Sequence, residues 1–157
     1  MTRLLAAALP VVIAALAAMA GLVPSGCASS TDGSETAAGD ATLPGAAGDA
    51  ILAQAFADRA HDLEVGGQGT VVRILVDDTD GGRHQRFIVR LAAGQTLLIA
   101  HNIDVAPRVE ELRVGDTVAF RGVYEWSEEG GTVHWTHRDP DGVHAAGWIR
   151  HEGHTYE

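Results

Sequence analysis

The spacing of apolar and polar positions changes three times along the chain. Residues 4–23 are an almost unbroken apolar run, interrupted by Pro10 and preceded by a single charge at Arg3. Residues 28–48 are mostly Ser, Thr, Gly, Ala and Asp, with Leu43 the only large aliphatic. That composition buries too little surface to offset the cost of ordering, so 27–48 is expected to be a flexible tether. Over 49–62 the period becomes helical: Ile51, Leu52, Ala55 and Phe56 share one face, Asp58, Arg59 and Asp62 lie outside it, and Asp49 stands at the N-cap.

After Val65 the period becomes two. A β-branched run at 69–76 and a strand at 84–91 flank the polar stretch 77–82, and Phe87, Val89 and Leu91 alternate with Arg86, Ile88 and Arg90. Ala92-Ala93-Gly94 turns the chain into a third strand at 95–100, followed by a long acidic connector. A fourth strand at 117–126 puts Val118, Phe120, Gly122, Tyr124 and Trp126 on one face. Glu128-Glu129-Gly130-Gly131 reverses it into a fifth at 132–136, where Trp135 shares the inward face of Val133. A three-strand meander, a longer connector and a hairpin make the order of a five-stranded OB-like barrel, so 65–157 is expected to be one all-β domain. A β-sandwich or an open five-stranded sheet is the alternative. The stretch 147–149, with a turn at Gly153, would add a strand closing the barrel.

Charge and cysteine usage narrow the function classes. The net charge is −10, and all 11 cations are arginine. Removal of 1–26 takes Arg3 away and leaves 10 − 21 = −11. Nucleic acid is therefore not an expected partner, because its phosphates need a basic surface. One cysteine excludes an internal disulfide and a four-thiolate zinc site. Val23-Pro24-Ser25-Gly26-Cys27 resembles a bacterial lipobox, with Pro24 where that pattern usually has Leu. A lipobox makes 1–26 a lipoprotein signal peptide and Cys27 a lipid attachment point to a membrane, which accounts for a lone thiol in an exported chain. Two other readings are cleavage after Ala18-Met19-Ala20 and an uncleaved anchor, since the run is about the ~20 residues that span a bilayer. All three place the remainder outside the cytoplasm, facing the periplasm or the exterior.

Between Gln68 and Tyr156 the chain resembles a bacterial family known as the domain of unknown function 3465 family. The resemblance lies in Arg83-His84-Gln85-Arg86-Phe87, in 101–108, in Tyr124-Glu125-Trp126, in His134-Trp135-Thr136-His137 through Asp139-Pro140, and in Gly147-Trp148. It implies a small exported protein of unassigned activity and carries over no catalytic residue.

Seven of the eight histidines lie from His84 onward, interleaved with Asp104, Asp139 and Asp141. Imidazoles with carboxylates suit zinc and other divalent first-row metals. If the fifth strand ends near Trp135, then His137, Asp139 and His144 lie on one loop that would converge with His101 and Asp104 as a metal site. The alternative has these histidines hydrogen-bonding loop carbonyls and carboxylates. No G-x-S-x-G is present, and the only thiol is assigned to lipid. Arg86, Arg90, Arg108 and Arg121 are candidates for a local binding surface, against a reading as scattered solvated charge. The expected function is a non-enzymatic envelope module binding a protein or a glycan. A metal-binding domain is the second reading, and a metal-assisted hydrolase of phosphodiesters or glycans the third.

Overall fold

The computed structural model describes residues 45–157, so the segment 1–26 expected to direct export, Cys27 and most of the expected tether lie outside the described residues. A helix α1 (Gly45–Ala57) precedes β1 (Leu63–Ile74), β2 (His84–Arg90), β3 (Thr96–Asn102), β4 (Thr117–Glu125), β5 (Thr132–His134), β6 (Trp148–His151) and β7 (His154–Tyr156). Strands β1, β2, β3, β5 and β4 close a ring, because the first half of β1 pairs with β4 and its second half with β2. Only β3 and β5 run parallel, through Leu98 opposite Thr132 and Ile99 opposite Val133. The architecture is the five-stranded OB-like barrel that the strand order predicts. The C-terminal stretch forms a hairpin, β6 and β7, laid antiparallel on β4 below the short β5.

Strand β1 begins at Leu63, earlier than the β-branched run at 69–76. Its first half contains Gly66, Gly67 and Gly69, residues poor in strand propensity, so composition conceals it. The glycines serve the bend that lets one strand pair on both sides. A Cβ at Gly67 would stand 2.8 Å from Cζ of Phe120 and 3.2 Å from Cδ1 of Leu52. The bend is completed by a register shift between Val71 and Arg73.

Inward alternation holds in β2 and β3, where Phe87, Val89, Leu97 and Ile99 are fully buried with Phe120 and Tyr124 of β4. Helix α1 plugs the barrel with Leu52 and Ala55, while Ile51 and Phe56 remain 40% and 37% exposed. The helix therefore starts four residues before Asp49, and Asp49 is not its N-cap. Its buried carboxylate instead accepts the Ala93 amide from the β2–β3 turn at 2.9 Å. Two aromatics also depart from the expected inward face. Trp126 is half-buried, stacked on Phe56 with centroids 6.4 Å apart and covered by the Arg59 guanidinium at 4.8 Å. Trp135 follows the end of β5 at φ 52°, which breaks the alternation, leaves the indole half-buried and turns Thr136 and His137 inward.

Candidate functional site

The fold gives most of the histidines hydrogen-bond partners within it. His101 ends β3 fully buried. Its Nε2 meets the Pro107 carbonyl at 2.9 Å and its Nδ1 meets the Thr136 hydroxyl at 2.9 Å. A carbonyl only accepts, so Nε2 carries the proton and Nδ1 accepts from Thr136. Neither nitrogen is left for a metal. Beside it, Gln85 of β2 donates Nε2–H to the Val109 carbonyl at 3.0 Å and accepts the Val109 amide at 2.8 Å, as a backbone strand would. Gln85 and His101 are cross-strand neighbours, and together they pin the 103–116 connector over one end of the barrel.

The other members of the predicted metal set have contacts of their own. Exposed Asp104 accepts the Arg83 amide and its Nε, both at 2.7 Å, and these contacts hold its carboxyl below the usual range. Asp139 accepts amides from His144, Asp141 and Val143 at 2.7–2.9 Å, which likewise depress its carboxyl and fold the 139–144 loop around it. His137 contacts its neighbour's carbonyl, that of Arg138, through Nδ1. His144 packs against Trp135 in a tilted arrangement with centroids 4.4 Å apart. Among the described residues no three His, Cys, Asp or Glu side chains are placed to hold a metal ion, so His101, Asp104, His137, Asp139 and His144 do not assemble into one site.

Burial pushes the His101 imidazole below its usual range, outweighing its two hydrogen bonds. A depressed folded-state value means that stability is present above the unfolded value, about pH 6.5, and is lost as pH falls through it. The midpoint of urea unfolding is therefore expected to drop from pH 7.5 to pH 5.5. His101→Gln, which keeps one donor and one acceptor but does not titrate, should show a smaller drop. An undiminished drop in that variant would show that His101 is not the group responsible. His134 contributes in the same direction, since burial lowers it against the attraction of Glu125.

The four candidate arginines do not form a free basic stripe. Arg86 bonds the Val76 carbonyl and pairs with Asp78 at 3.2 Å, Arg108 pairs with Asp77, and Arg121 lies 3.7 Å from Glu64. Arg90 is exposed at the far end of β2, across the strand from Thr70 and Thr96.

An open cleft lies elsewhere, on the outer face of β2, β3 and β5. It measures about 330 Å³ and is lined by Leu75, Ile88, Leu98, Ser127, Glu129 and Thr132, among others. Ile88 and Leu98 face each other directly across β2 and β3. Leu75 leads into the β1–β2 loop, and Ser127 and Glu129 belong to the β4–β5 loop, so the cleft sits between those two loops. On the far side of the β4–β5 loop a second hollow of about 370 Å³ lies against α1, with Ala53, Phe56, Gln95, Thr96, Glu128 and Glu129 in its walls. The sequence does hold a trace of this cleft. Ile88 sits on an otherwise polar strand face, and the adjacent Leu97 and Leu98 put one leucine on each side of β3.

A family model described as protein of unknown function (DUF3465) matches residues 36–157. The chain belongs to that family. The match begins well before Gln68, where the resemblance in the sequence begins, so α1 and the glycine-rich half of β1 lie within it. No curated protein matches the chain.

Proposed function

We propose that this DUF3465 member is an exported lipoprotein of the cell envelope, held to a membrane through Cys27, that works as a binding module and not as an enzyme. One observation carries the binding reading. The β2–β3 face presents the aliphatic pair Ile88 and Leu98 to solvent between the β1–β2 and β4–β5 loops, the region where OB barrels receive linear ligands. A non-enzymatic role is supported by the side chains available. The most buried imidazole, His101, has both nitrogens engaged, and the only thiol is the lipid attachment point.

One experiment tests both parts. The full chain, carrying benzoylphenylalanine in place of Leu98, is expressed in bacterial cells fed an alkyne fatty acid. Fatty-acid label is expected in the membrane fraction and should vanish in Cys27→Ser. Irradiation should give an adduct of defined mass that is absent when the probe replaces exposed Val114. Labelling that survives Cys27→Ser would refute the anchor, and identical adducts from both probe positions would refute the cleft.

A further inference from the structure

The two hollows meet at the β4–β5 loop, sharing Thr96 and Glu129 in their walls. They flank that loop: the barrel-side hollow is aliphatic, the helix-side hollow is lined by alanine and phenylalanine, Glu129 borders both and Glu128 borders the second. Resting on the preceding reading of the cleft, we propose that its ligand is an extended cationic peptide segment. Aliphatic side chains would fill the two hollows, and an arginine or lysine between them would lie against Glu128 and Glu129.

The charge distribution favours this ligand. Arg83, Arg86, Arg108, Arg113, Arg121 and Arg138 each pair with a carboxylate. Glu128 and Glu129 are exposed and have no ion-pair partner among the described residues. The two carboxylates put negative charge at the β4–β5 loop of an acidic protein, which attracts cations and repels phosphates; the nearest arginines are Arg59, over Trp126 beside Phe56, and exposed Arg73, across from Ile88. The loop that presents the two carboxylates is held firmly. The Gly130 carbonyl accepts from the Tyr124 hydroxyl at 3.2 Å and from Gln95 Nε2 at 2.8 Å, and Gly131 N donates to Ser127 Oγ at 3.3 Å. A pre-ordered rim spares the complex the entropic cost of arranging it.

Other ligands fit the two hollows less well. Bases and sugars need a free aromatic platform, and the one ring in their walls, Phe56, already stacks on Trp126. Arg86, on the same strand face as Ile88, is committed to Asp78 and to the Val76 carbonyl. The chain's own segment 28–44 contains no Arg, Lys or His, so it lacks the charge to serve as the occupant.

The test measures fluorescence anisotropy of a fluorescein-labelled decapeptide of alternating leucine and arginine, titrated with the full chain in detergent. A leucine–glutamate decapeptide, a chitin hexasaccharide and a thymidine decamer are run beside it. The leucine–arginine peptide alone is expected to bind. Two exposed ion pairs set the scale, so Glu128→Gln/Glu129→Gln should weaken binding about tenfold. Glu110→Gln/Glu152→Gln, which removes equal charge away from the two hollows, should leave affinity unchanged, and Leu98→Asn should weaken it. Equal loss in both charge variants, or no loss in either, overturns the proposal. Binding of the glycan or the oligonucleotide in its place, abolished by Leu98→Asn, overturns the ligand class and leaves the cleft reading standing. No binding by any probe, together with no position-specific adduct from residue 98, removes both. Self-association that Leu98→Asn abolishes would assign the cleft to a second copy and overturn the peptide.

Discussion

Replacing Gln85 with leucine is expected to destabilise the protein by about 2–6 kcal/mol, although the two side chains are of similar size. The Gln85 amide satisfies both the N–H and the C=O of Val109, and all three groups are buried. Leucine would strand two buried backbone groups, each costing about 1–3 kcal/mol when left without a partner. Val109 is 1% exposed and Leu112 9% exposed, so the connector that loses its anchor also supplies part of the core. Urea unfolding at pH 7.5, with circular dichroism to confirm a folded baseline, gives the number. A loss below about 1 kcal/mol, the net worth of one ordinary hydrogen bond, would mean that the connector is held by other contacts.

Gly131→Ala is the second substitution with a large expected effect, and Gly94→Ala is its internal control. Both glycines have positive φ, +107° and +93°, where a side chain is strained. Around Gly94 nothing lies within 4 Å of the point where an added methyl would stand, so only backbone strain is at stake, about 1–2 kcal/mol. A methyl at Gly131 would stand 2.1 Å from Cε2 of the buried Tyr124 ring. That ring is fully buried and hydrogen-bonded to the Gly130 carbonyl, so it has little freedom to retreat. Overpacking adds about 1–3 kcal/mol to the strain, for a total of about 2–5 kcal/mol. Equal losses in the two variants would show that the Tyr124 contact is not limiting. Gly131→Ala should also displace the rim that carries Glu128 and Glu129, so its effect on peptide binding should exceed that of Gly94→Ala.

The barrel was largely legible in the sequence because period-two patterning reports directly which side chains enter a core. Phe87, Val89, Val118 and Phe120 point inward as the alternation requires. The helix was legible as an element but not in its limits. Gly45-Ala46-Ala47-Gly48 has tether composition, and it becomes helical where Asp49 bonds the β2–β3 turn and Leu52 enters the barrel. A capping rule weighs only local hydrogen bonds, whereas the Ala93 amide is distant in sequence. Trp135 shows the same limit, since a single residue at positive φ undid the alternation read across it.

The candidate site was legible far less well. Histidines and carboxylates close together in sequence resemble a ligand set, yet His101 finds its partners at Thr136 and Pro107, and Asp104 finds its own at Arg83. Composition names the chemistry a residue offers, and the fold decides where that chemistry is used. The cleft had the opposite fate. Ile88 and Leu98 leave only a trace in their own strands and become a surface when register sets them opposite one another between two loops.

By itself the sequence determined the five barrel strands along the chain, most of their inward faces, the acidic balance and the family, because each depends on local periodicity, composition or a run of residues. Only the tertiary structure decided which strands close on which, that β6 and β7 extend the sheet, that the histidines take separate hydrogen-bond partners, and where the cleft lies. Those outcomes depend on contacts between residues distant in the chain, and a pattern along one dimension does not record its partners.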